Sequence, residues 1–176
     1  MTMKSCSAAA IALALDACAG SESKPEAAPP PPPARDWVAE IRAQAASLDN
    51  ALVVEPLPDP AVDDLKRLAQ SAEAAGDFAT ARAEYERALA LRPEDPVAWQ
   101  ALAELSLRAG QWKVAASEAQ RSYDLGPRNG PLCLRNWLTI RAARIEIGDT
   151  YNVPSAEAQA AACAVKSPLF PFHAWL

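Results

Sequence analysis

Apolar positions in the middle of the chain recur at helical spacing. Leu65, Leu68, Ala69 and Ala72 fall at i, i+3, i+4 and i+7, the stripe that one face of an α-helix turns to a core. Gly76 follows and supplies the backbone freedom of a helix-ending turn. Tyr85, Ala88 and Leu89 then mark a second helix that Pro93 ends, because proline cannot continue a helix interior. The pattern repeats. At a shift of 34 residues nine positions coincide: Leu68/Leu102, Ala69/Ala103, Ala75/Ala109, Gly76/Gly110, Ala81/Ala115, Glu84/Glu118, Arg87/Arg121, Leu91/Leu125 and Pro93/Pro127. The spacing predicts two stacked helical hairpins, with the small Ala81 and Ala115 where antiparallel helices approach closely. Trp99 and Trp112 are expected to fill the space between hairpins.

The flanks vary the theme. Cys133, Trp137, Ile140 and Ile147 predict a helix from about Pro131 to Ile147, ended by Gly148-Asp149 four positions later than a strict repeat of 34. Ser155 is the expected cap of a partner helix running to about Lys166. Ahead of the repeats, Asp36 is expected to cap a short helix striped by Trp37, Ile41, Ala45 and Leu48. That helix is expected to cover the exposed face of the opening repeat. Val53 to Pro60 reads as an extended connector.

These residues resemble the tetratricopeptide repeat family, whose period is 34. The resemblance implies an all-α, right-handed solenoid of about three helical hairpins, with an atypical last unit as solenoid ends require. It also implies a groove lined by the first helix of each hairpin: Lys66, Gln70 and Glu73, then Gln100, Glu104 and Arg108, then Arg135, Leu138 and Arg141. Lys66 and Arg135 match in type the family's carboxylate clamp for chaperone tails, but Gln70, Ala101 and Pro131 do not, so that ligand is rejected. The groove becomes more basic toward Arg135, Arg141 and Arg144. An acidic protein segment could pair there through arginine forks; a merely solvated groove is the alternative.

The amino terminus follows different rules. Lys4 precedes the apolar run Ala8 to Leu15, the order of a secretory signal and too short to cross a bilayer. Leu15-Asp16-Ala17-Cys18 resembles the lipobox of bacterial lipoproteins, with Asp16 as a departure from the pattern. The resemblance implies lipidation of Cys18, and Ala19, rather than aspartate, after it implies the outer membrane, facing the periplasm. Plain secretion and a cytosolic chain are the alternatives. Residues 19–35 lack large apolar side chains, and Pro29 to Pro33 favour polyproline II, so this stretch reads as a disordered tether.

Composition narrows the chemistry. The 176 residues carry a net charge of −5, which offers no broad basic footprint for nucleic acid. A single histidine, His173, excludes multi-histidine catalysis or metal binding. No zinc spacing, phosphate-cradling glycine loop or nucleophile elbow is present, and neither a cofactor nor a small-molecule substrate is expected. With Cys6 in the signal and Cys18 lipidated, Cys133 and Cys163 remain as a pair in an oxidising compartment. Antiparallel packing would bring them together. A disulfide is expected, two buried thiols being the alternative.

The expected organisation is a signal peptide at 1–17, a lipidated proline-rich tether at 18–35 and a helix with connector at 36–61. Repeats follow at 62–95 and 96–129, a degenerate repeat at 130–166 and an apolar tail at 167–176. The implied function is a non-enzymatic lipoprotein scaffold or adaptor binding another envelope protein in an assembly role. The rival is a soluble cytosolic regulator or co-chaperone-like module.

Overall fold

The computed structural model describes residues 35–48 and 59–164. The signal, Cys18, the proline run, residues 49–58 of the connector and the tail 167–176 lie outside the described residues. Among the described residues are seven α-helices and no strand: α1 (Trp37–Ala46), α2 (Pro60–Ala74), α3 (Phe78–Leu91), α4 (Pro96–Arg108), α5 (Trp112–Leu125), α6 (Gly130–Glu146) and α7 (Val153–Ala162). α2 pairs with α3, α4 with α5 and α6 with α7, and each second helix packs on the first helix of the next hairpin. This is the all-α helical-hairpin solenoid that the 34-residue period predicts.

Local chemistry starts and stops the helices. Asp77 accepts from the Thr80 amide at 3.0 Å, and Asp95 accepts from Val97 and Ala98 at 2.9 and 3.1 Å. Pro60 and Pro96 occupy first turns, where a missing N–H leaves no partner wanting. The first helix of every hairpin ends alike. Gly76, Gly110 and Gly148 take φ values of 78°, 72° and 76°, a region glycine enters without steric cost. The amide after each glycine returns to a carbonyl five residues back, Asp77 to Ala72, Gln111 to Ser106 and Asp149 to Arg144, at 2.9 Å. This closes a Schellman turn. The third glycine comes late, and α6 is correspondingly 17 residues long against 13 for α4.

Two expectations are corrected. α7 begins at Val153 behind Asn152, with Pro154 in its first turn, rather than after Ser155. Proline fits that turn because its φ is already helical. The larger correction concerns α1, which packs against α6 and α4 instead of covering the opening repeat. Leu68 on α2 is consequently 50% exposed, whereas its counterpart Leu102 is 3% exposed beneath the preceding hairpin. The stripe of α1 is Trp37, Val38, Ile41 and Ala45, all buried, the first three in one cluster with Leu107, Leu138 and Ala142.

A disulfide joins Cys133, in the first turn of α6, to Cys163, just past α7, with Cα atoms 5.6 Å apart. Beside it the Gly130 amide donates to the Cys163 carbonyl at 2.8 Å.

Candidate protein-binding groove

The first helices α2, α4 and α6 form one face of the solenoid, and α1 lies on it against α4 and α6. α4 is the key to its floor. Every residue from Gln100 to Leu107 is buried, so its polar members have no route to bulk water and must find partners inside. Glu104, 1% exposed, accepts from Arg42 Nε of α1 at 2.6 Å, Arg135 Nε of α6 at 2.7 Å and Gln100 Nε2 at 3.0 Å. Gln100 also donates to Thr139 Oγ1 at 2.9 Å. Burial alone would raise the Glu104 pKa; the Arg135 and Arg42 guanidiniums outweigh it and hold the carboxyl below the ordinary glutamate range.

The network reaches α2 through Arg42, whose Nη2 donates to Glu73 Oε2 at 2.8 Å. Tyr85 of α3 donates to the other Glu73 oxygen at 2.9 Å. Burial and that carboxylate push the phenol above its ordinary range. At the far end of α1, Trp37 Nε1 donates to Glu146 of α6 at 2.7 Å. One carboxylate from each first helix thus receives a donor from α1.

On the α2 side of α1 an open cavity of about 700 Å³ remains, lined among others by Ala45, Ala46, Gln70, Val97, Arg108 and Arg135. Its apolar lining, Ala45, Val97 and Ala101 among it, suits side-chain burial, and its guanidiniums suit a carboxylate. Arg108 stacks on the Phe78 ring at 4.9 Å, its other partner being Asp36 at 3.8 Å.

The residues singled out by sequence are distributed unevenly. Gln70, Glu73, Arg108 and Arg135 line the cavity. Lys66 instead ties α2 to the cap of α4, with Nζ 3.1 Å from Asp63 and 3.0 Å from Asp95. Gln100 and Glu104 form the buried floor, and Leu138 is buried in the cluster that takes α1. Arg141 pairs with Glu157 of α7 at 2.7 Å, and Arg144 donates to the Asn152 carbonyl at 2.7 Å. The basic end of the face is therefore already engaged within the chain. The sequence analysis does not single out Arg42 or Glu146, and it reads Tyr85 only as part of the apolar stripe of the second helix. One available signal was Gln100 and Glu104 set in the otherwise apolar run of α4, which demands buried partners.

The family model described as Tetratricopeptide repeat matches residues 62–105. The globular C-terminal domain of P. aeruginosa LpoP is similar in structure, with a TM-score of 0.55 and 28% identity over 59% of this chain and 98% of that one. No curated protein matches the chain in sequence. By repeat pattern and by architecture, the described residues are a tetratricopeptide-type helical solenoid.

Proposed function

We propose that this protein is a non-catalytic scaffold of the bacterial envelope that binds a segment of a protein partner in its groove. Cys18 carries the lipid anchor, on the periplasmic face of the outer membrane, and the proline-rich stretch spaces the solenoid from the bilayer. The observation that carries the reading is the open cavity of about 700 Å³ beside α1, lined by apolar side chains together with Arg42, Arg108 and Arg135. A protein segment suits such a site better than a small polar substrate, since apolar area is what the walls offer for burial. Arg108 and Arg135 would meet its carboxylates. Supporting the reading, the repeats follow a lipobox-like segment and a tether, and the similar LpoP domain is itself C-terminal in its protein.

The test is co-purification from envelope extracts, comparing the native chain with Gln70→Trp and Cys18→Ala. Gln70 is exposed and lines the cavity, so tryptophan there obstructs the groove without entering the core. Loss of a specific partner with Gln70→Trp, and loss of membrane association with Cys18→Ala, are expected. Retention of both by these variants would refute the proposal.

A further inference from the structure

The helix that fills part of the groove is held the way a ligand is held. α1 rests on α4 and α6, not on α2, which it precedes in the chain. Its apolar side chains Trp37, Val38 and Ile41 are 7%, 2% and 3% exposed. Its polar anchors are the Trp37 indole on Glu146, the Arg42 guanidinium bridging Glu104 and Glu73, and the capping Asp36, 3.8 Å from Arg108 of α4. Without α1, Glu104 would keep Arg135 and Gln100, and Glu73 would keep Tyr85. Two carboxylates would then face an apolar track with one cationic partner gone. Such a track selects a helix that brings an arginine, whose planar fork can reach both carboxylates at once.

α1 also fits incompletely. Ala45 and Ala46 line the cavity on the α2 side and leave it open. A helix with the same arginine and a larger apolar side chain at that height would bury area that α1 does not.

We propose that α1 is a cis-bound ligand of the groove, displaced by an arginine-bearing amphipathic helix of a partner protein. Affinity for the partner is then reduced by the fraction of chains in which α1 occupies the track. The inference rests on the reading of this face as a protein-binding surface, but its test uses purified components and needs no native partner.

The probe is a fluorescent peptide of residues 35–48 of this chain, titrated by anisotropy against the full chain and against its Val38→Asp/Ile41→Asp variant, which evicts α1. The variant is expected to bind at least tenfold more tightly than the native chain. Arg42→Glu in the peptide is expected to abolish that gain, and Ala46→Leu in the peptide to tighten binding at least threefold. Equal affinities for the two chains, indifference to Arg42→Glu, or no gain from Ala46→Leu would overturn the proposal. A variant that loses its helical circular dichroism would overturn it too, because α1 would then be core and not ligand. Hydrogen exchange on the unmodified chain gives an independent reading: α1 amides are expected to be at least 100-fold less protected than those of α4. Equal protection would contradict the proposal. Failure here with a groove partner still captured in envelope extracts would remove α1 as a gate and leave the scaffold reading standing.

Discussion

Replacing Glu104 by glutamine probes the joint on which the groove is built. The native carboxylate is 1% exposed and accepts three hydrogen bonds, two of them from guanidiniums. A hydrogen bond to a charged group contributes about 1.5–3 kcal/mol. Glutamine keeps the shape and one acceptor oxygen, so one to two such bonds are lost. Arg42 and Arg135 are 42% and 24% exposed, and water recovers part of that loss. The expected cost at neutral pH is about 3 kcal/mol, below the upper range for breaking a fully buried pair. For a folded body of this size that is a fall in Tm of about 12 °C. The sign of the pH dependence follows from the depressed folded-state pKa. The contribution is fully present above the ordinary glutamate value of 4.5 and is lost as pH falls through the lower folded value. Urea unfolding of the two chains should therefore show a gap that narrows as pH drops below about 4.5. A cost under about 0.5 kcal/mol at pH 7, the range of an inconsequential surface change, would refute the reasoning. So would a gap unchanged at pH 3.

Three further outcomes are expected. Gln111 precedes α5 where Asp77 caps α3, yet makes no side-chain cap, so Gln111→Asp should stabilise by about 1 kcal/mol in urea unfolding. Asn136 is fully buried with neither amide atom hydrogen-bonded among the described residues; its isostere in Asn136→Leu should stabilise by about 1 kcal/mol, and destabilisation would reveal an unseen partner. Reducing the Cys133–Cys163 bond, which closes a span of 30 residues, should lower unfolding stability by about 3.5 kcal/mol in the chain-entropy account, measured with and without dithiothreitol.

The solenoid was legible because its determinants are local. Gly76 and Gly110 mark the turns, Pro93 and Pro127 mark the ends of second helices, and the 34-residue recurrence sets hairpin against hairpin. The place of α1 was not legible. Its stripe says that it packs but not on what, and the decision between the opening face and the groove rests on the contacts of Trp37 and Arg42 with Glu146, Glu104 and Glu73, residues 31 to 109 positions away. Many of the residues expected to line the groove are accordingly engaged within the chain. Arg141 pairs with Glu157 of α7, which follows the longer connection that breaks the 34-residue register, and Leu138 lies in the cluster with α1, which arrives from outside the repeats.

The central claim, that the face of α2 and α4 beside α1 receives a protein partner, is tested most directly by photo-crosslinking in living cells. A benzophenone amino acid would replace Gln70 in the cavity wall or, in a second strain, Glu86 on the exposed side of α3. A discrete adduct from position 70, absent from position 86, is the expected result. No adduct at position 70, or the same adducts from both positions, would contradict the claim.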